Sequence, residues 1–241
     1  MTPLRADTLP ASPARARAGR AEGRRGRRLP LLPERPHLAP LKPLASARTR
    51  QTLLPHGQQV LTIEHETLRG VTPPMLRRWF EELGGTITHE GVTWPRYLLW
   101  HPRDHIHWAL ARPAPGGGCG PGARFRIVEA FGGDPRCHVD SVEVVEKLDD
   151  EGLSLVRRVL GVEIFRLEHR FGQVAGGASY RSRMVVGAGP RAPFGRLFNR
   201  WVLPRLFTPA MGRAWLRHNV EEVGLFEALL PRLYGAPAAL P

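Results

Sequence analysis

At 241 residues the chain is long enough to bury a sizeable core and suits one large domain or two small ones. Its formal net charge is +13, but residues 1–50 carry 12 Lys and Arg against 3 Asp and Glu, a surplus of nine, which leaves four for the other 191 residues. Nucleic acid is therefore not the expected partner of the body, and the only two cysteines, Cys119 and Cys137, lack the CxxC spacing of a zinc finger and imply no disulfide framework.

Residues 1–50 are rich in Arg, Pro and Ala and nearly free of β-branched and aromatic residues. Such a segment cannot bury enough apolar surface to fold alone, so it reads as a disordered leader, with 51–235 as a single domain. Arg24, Arg25, Arg27 and Arg28 invite comparison with a twin-arginine signal, but prolines and Arg35 break the following run, LPLLPERPHLAPL. No apolar run approaches the roughly 20 residues of a membrane span. The expectation is a cytoplasmic protein with no membrane partner.

In chain order, QQVLTIEH (58–65) reads as a short strand or arm. Thr72 followed by two prolines opens a helix of about three turns that ends at Gly84-Gly85, with Met75, Trp79 and Leu83 as its packing stripe. PRYLLWHP and DHIHWALARP read as extended runs, followed by a Gly/Pro turn at 113–122. ARFRIVEAFGG, HVDSVEVVEKLDD, LSLVRRVLGV, EIFRLEHRFG and GASYRSRMVVG alternate as half-buried strands do, with a hairpin signal at LDDEG. PFGRLFNRWVLPRLF predicts a short helix and TPAMGRAWLRHNVEEVGLFEALLPRLY a long one.

One helix, six or seven antiparallel strands and a long last helix make an α+β chain in which the helix covers the apolar face of a curved sheet. That is the helix-grip arrangement of START and birch-pollen-allergen-like domains. Wound at 100° per residue, the last helix places His218 and Glu222 one turn apart inside its apolar arc, while Arg213, Arg217, Glu221 and Glu227 fall outside it. A buried carboxylate needs compensation. Candidate partners lie on the strands. His105 and His107 share a face in a regular strand, with His101 joining them if Pro102 keeps the register. Glu129 alternates with Phe125, Ile127 and Phe131 on an apolar face, and His169 and Tyr180 lie further on. Two His and two Glu in one cavity suit zinc, with iron or manganese as alternatives. His107 reads as a rim residue, and His56, His65, His89 and His138 as ordinary ones.

GVTPPMLRRWF, RYLLWHPRDHI, FRIVEAFGG, LEHRFG with GGASYRSRMVVG, and RHNVEEVGLFEALLPRLY together resemble, in order, the 2,4-diacetylphloroglucinol hydrolase family over about residues 70–234. The resemblance implies a helix-grip catalytic domain, a homodimer, and a zinc ion held by two His and two Glu. Here those would be Glu129, His218, Glu222 and a histidine of WHPRDH, with His105 chosen and His101 as its alternative. It also implies hydrolysis of the carbon–carbon bond between an acyl group and a phenolic ring, so the expected partner is a small aromatic acyl ketone. Tyr97, Asp104, His169 and Tyr180 fall where the family places polar groups around its substrate. His169 is the candidate proton relay, and the tyrosines would bind ring hydroxyls. The Gly-rich stretch 113–122 and the leader depart from the family. A non-enzymatic START-like carrier of a hydrophobic ligand predicts the same fold without a metal. A cupin reading of His105-Ile106-His107 lacks the further Glu that cupins need.

Overall fold

In the computed structural model, residues 29–235 are described. The expectation for residues 1–28 lies outside them. A nine-stranded antiparallel sheet dominates, two or three strands more than the sequence pattern implied. Its order is β1 (Ala47–Leu53), β2 (Gln59–His65), β11 (Gly177–Val186), β10 (Val162–Val174), β9 (Gly152–Val159), β8 (His138–Asp149), β7 (Arg124–Ala130) and β6 (His105–Arg112). The two-residue β3 (Leu68–Arg69) pairs with the end of β11. A separate hairpin of β4 (Thr86–His89) and β5 (Val92–Pro95) follows the first helix. The β8–β9 hairpin closes where LDDEG placed it, with Asp149 opposite Gly152.

The helix α1 (Pro73–Glu81) begins at Thr72, as its prolines require, but the Thr72 side chain makes no cap hydrogen bond. Its buried stripe is Leu76, Trp79, Phe80 and then Leu83, with Met75 only half-buried. Trp79 and Phe80 enter the core edge-on to Trp100 and Phe226. Each aromatic ring removes on the order of 150–250 Å² from water, several kcal/mol of apolar burial.

The first of the two extended runs is instead a helix, α2 (Arg96–Trp100). Pro95 supplies its N-cap, RYLLW has no β-branched residue, and Tyr97 and Trp100 are spaced to bury together. The long C-terminal helix is two: α5 (Pro209–Gly224) and α6 (Phe226–Tyr234). Thr208 caps α5 by accepting from Met211 N at 3.1 Å. At the break, a Cβ on Gly224 would stand 2.8 Å from the Lys42 side chain, so the close crossing of the arm demands glycine.

That arm corrects the domain boundary. Residues 29–50 are packed onto the body: β1 begins at Ala47, Leu29 and Leu32 cover Ile106, and Arg35 is buried. Arg35 donates to the carbonyls of Leu98, His101 and His105, at 3.0, 3.2 and 2.5 Å. Composition underrated the segment because its contribution is one buried guanidinium and a few leucines rather than an apolar pattern. The α5 helix crosses β1 and β2 and packs through Met211, Trp215, Leu216 and Val220 against Leu61, Ile63 and Met184. The sheet therefore grips a C-terminal helix, leaving a cavity of about 580 Å³ between them.

Candidate metal centre

One wall of the cavity carries Glu129, His218 and Glu222, and His105 is buried beside them. β6 begins with His105, which pairs directly with Glu129 of β7, so both point to the same inner face. A β-bulge follows. The partner of His107 is Val128, so His107 turns to the opposite face, while Trp108 returns inward opposite Ile127. The expectation that His105 and His107 share a face is thereby overturned, and with it the pairing that prompted the cupin comparison. From the helix side, α5 delivers His218 and Glu222 one turn apart, both buried.

The four ligand atoms converge. His105 Nε2 lies 3.4 Å from Glu129 Oε1 and 3.5 Å from Glu222 Oε2. His218 Nε2 lies 3.8 Å from Glu129 Oε1 and 3.7 Å from Glu222 Oε2. His105, His218 and Glu222 place one ligand atom each within 4.8 Å of one another. Metal–ligand bonds of about 2.0–2.2 Å at tetrahedral angles put neighbouring ligand atoms about 3.3–3.6 Å apart. The four imidazole–carboxylate spacings match that range or exceed it by a few tenths of an ångström, while Glu129 lies outside the group of three that are mutually within 4.8 Å.

Hydrogen bonds fix the tautomers. His105 Nδ1 faces the Tyr97 carbonyl at 2.6 Å. A carbonyl only accepts, so Nδ1 carries the proton and Nε2 keeps its lone pair. That Nε2 is buried and has no hydrogen-bond partner among the described residues. His218 Nδ1 faces Asp104 Oδ2 at 3.1 Å, which frees its Nε2 in the same way. Asn219 Nδ2 donates to Glu222 Oε1 at 2.6 Å, and the Tyr97 hydroxyl donates to Glu129 Oε1. The Tyr97 ring stacks on His105 at 3.9 Å between centroids.

The electrostatics of the bare side chains show how unfavourable the cluster is. Burial raises Glu129, and burial with the Glu129 charge raises Glu222 to about 8. Burial holds His105 well below its ordinary value, with His218 and His101 adding repulsion. Burial also opposes charge on His218, yet Glu222, Glu129 and Asp104 outweigh it and raise His218 to about 9. Once their extra protons are displaced, two carboxylates and two neutral imidazoles form a donor set of net charge −2, which a divalent cation would neutralise.

His101 stands outside this set. Its Nδ1 accepts from Asp104 N at 3.2 Å, and its Nε2 lies 3.1 Å from Glu221 Oε2. Both nitrogens are engaged, which leaves His105 as the strand imidazole in the cluster. Glu221, placed outside the apolar arc by the helical wheel, is instead buried and bound by His101, Arg103 and Arg217. Its stability comes from a neighbouring segment, which the periodicity of one helix cannot reveal.

Two expected substrate contacts move to supporting roles. Asp104 is fully buried and accepts from Gly132 N, Gly133 N and Arg103 besides His218, so it positions His218 rather than facing the cavity. Burial opposes its ionisation, but the His218 and His101 contacts and the Gly132 N–H hold it well below the carboxylate range. The Tyr97 hydroxyl is spent on Glu129. His169 does line the cavity, with Nδ1 3.0 Å from Ser182 Oγ, and burial lowers it to about 3, so it is neutral. Tyr180 is not among the cavity-lining residues. It packs against His169 and Phe171 with its hydroxyl buried and unpartnered among the described residues.

Glu143 on β8 went unremarked in the sequence. It lines the cavity with Oε2 buried and unpartnered among the described residues, and burial raises it to about 8. Alternation in HVDSVEVVEKL gave little signal, because apolar and acidic residues occur at both parities.

No helix among the described residues is long and apolar enough to cross a membrane. No protein-family model matches the chain, and no curated protein does either. Among solved structures the chain is similar to a START superfamily protein from Mycobacterium smegmatis, at 8% identity and a TM-score of 0.42 over 69% of this chain and 94% of that one. It is also similar to Ara h 8.0201, at 13% identity and a TM-score of 0.34 over 68% and 98% of the two chains. A protein from Nitrosomonas europaea matches at 14% identity and a TM-score of 0.37, over 71% and 96%. These likenesses concern the fold class and nothing finer.

Proposed function

We propose that the chain is a metal-dependent hydrolase that cleaves the bond between an acyl carbon and a phenolic ring, with His105, Glu129, His218 and Glu222 holding a zinc ion. The observation that carries this reading is the convergence of four lone-pair-bearing atoms, one of them the orphaned His105 Nε2, in a buried cluster that is costly without a cation. Bound there, zinc supplies Lewis-acid polarisation of a carbonyl and lowers the pKa of a water.

The residues around the cluster supply the rest. Phe80, Phe125, Ile127 and Trp100 give the cavity an apolar wall against which a flat aromatic ring can lie. Hydrolysis adds hydroxyl to the acyl carbon and a proton to the ring carbon that leaves. His169, neutral and facing the cavity, is the group to relay that proton, with Ser182 fixing its ring. Glu143, protonated below about pH 8, offers a donor to a ring or keto oxygen.

A second reading shares the same cavity. At about 580 Å³ it falls within the range of small-molecule sites and suits a module that holds a hydrophobic ligand without reacting it. Incubating purified, zinc-analysed protein with mono- and diacylated phloroglucinols separates the two. Release of the short-chain acid, lost in Glu222→Ala, supports the hydrolase. Ligand binding with no acid released and no stoichiometric metal supports the module.

A further inference from the structure

Between β11 and α5 the chain forms a helical segment, 195–206, built from α3 (Gly195–Leu197), a π-type turn (Phe198–Val202) and α4 (Leu203–Leu206). Asn199 anchors it, accepting from Ala188 N and donating to the carbonyls of Ala188 and His56. Leu203 and the following Phe207 are buried beneath it. Its outer face is unusual. Phe194 is 81% exposed and Trp201 58%, and Leu197, Val202 and Leu206 are also exposed. Five large apolar side chains are exposed within thirteen residues, a density that soluble surfaces rarely leave open.

The charge on this face has one sign. Arg191, Arg196, Arg200 and Arg205 are all exposed, and the Arg200 guanidinium lies 5.6 Å from the centre of the Trp201 ring. From His169 to Val220 the sequence contains nine arginines and no Asp, Glu or Lys. A second copy docked face to face would bring these arginines together, and the Arg-rich segment 1–28 carries the same sign. The complementary occupant is anionic.

We propose that segment 194–206 docks on an anionic phospholipid bilayer, with Trp201, Leu197 and Leu206 entering the acyl boundary and the arginines meeting the headgroups. This is surface insertion by a short amphipathic element rather than a span. The same segment borders the cavity, since Phe198, Leu203, Arg205 and Leu206 also line it. An apolar ligand held in the bilayer would then reach the cavity without crossing bulk water.

The test is co-sedimentation of the full chain with large unilamellar vesicles of phosphatidylcholine, with or without phosphatidylglycerol. Variants Trp201→Glu/Leu206→Glu and Phe194→Glu/Leu197→Glu are compared with wild type after a thermal melt confirms folding. Two double variants are used so that one misfolded protein does not decide the outcome. Expected are binding that needs phosphatidylglycerol and weakens with salt, and a loss of roughly tenfold or more in partitioning for each folded double variant. Absence of wild-type binding to anionic vesicles overturns the proposal. So does binding that both variants retain in full, which would assign it to the basic leader. A wild-type dimer that the variants convert to monomer would make the face a self-association surface and overturn it equally.

Discussion

His218 donates its Nδ1 proton to Asp104 across 3.1 Å, and this one contact determines which nitrogen of His218 faces Glu129 and Glu222. Asp104 is in turn held by two backbone N–H groups of the Gly132–Gly133 turn. The carboxylate thus links the turn after β7 to α5 and sets the imidazole before any ion arrives.

Replacing Asp104 by Asn keeps the shape but lets the amide present a donor to Nδ1. Zinc affinity measured by chelator competition is expected to fall about 10–100-fold. Urea unfolding of the metal-free chain should show a loss on the order of 1–3 kcal/mol, because two backbone N–H groups exchange a charged acceptor for a neutral one. Unchanged affinity would sink the orienting role.

His218→Ala and Glu222→Ala test the cluster itself. Elemental analysis of wild type is expected to give about one zinc per chain, and each variant close to none, since a site reduced to three ligands on a buried wall binds far more weakly. Wild-type metal content in both variants would refute the assignment.

Tyr97→Phe removes the hydroxyl that donates to Glu129 but preserves the ring stacked on His105. The expected cost to stability is about 1 kcal/mol, with a several-fold drop in zinc affinity as Glu129 loses a fixed rotamer. A change in substrate KM with metal affinity untouched would return Tyr97 to the substrate-contacting role that the family resemblance implies.

Much of the frame was readable from the sequence. His218 and Glu222 stand out because a helical period of 3.6 puts them among apolar neighbours, and Glu129 because a strand period of two does the same. The family resemblance marked Asp104 as a substrate contact, but the actual partners of Asp104, Glu221 and Arg35 were illegible for a shared reason. Each owes its burial to a partner more than 60 residues away in sequence, His218 for Asp104, His101 for Glu221 and the carbonyls of 98–105 for Arg35. Local periodicity carries no information about such pairs. The bulge after His105 was hidden too, because a one-residue slip in pairing leaves no trace in composition.

Glu143, which is not among the four proposed ligands, gives a pH prediction, with the Glu129 charge adding to the effect of its burial. Burial raises its carboxyl from 4.5 to about 8, so between those values the folded chain keeps a proton that the unfolded chain has released. Stability from this group is complete below pH 4.5 and is lost as pH rises through 8. Glu143→Gln should therefore match wild type within about 1 kcal/mol at pH 5 and exceed it by on the order of 2–4 kcal/mol at pH 9, read by urea melts. Equal stabilities at pH 9 would show that Glu143 ionises freely in the folded protein.

The Arg35 clamp has a practical consequence for making this protein. Trimming the amino terminus to the first strand would retain all four proposed ligand residues, yet the carbonyls of Leu98, His101 and His105 would lose their shared donor. The turn that presents His105 would then be free to relax, so the choice of translation start would govern metal loading even though it alters no ligand.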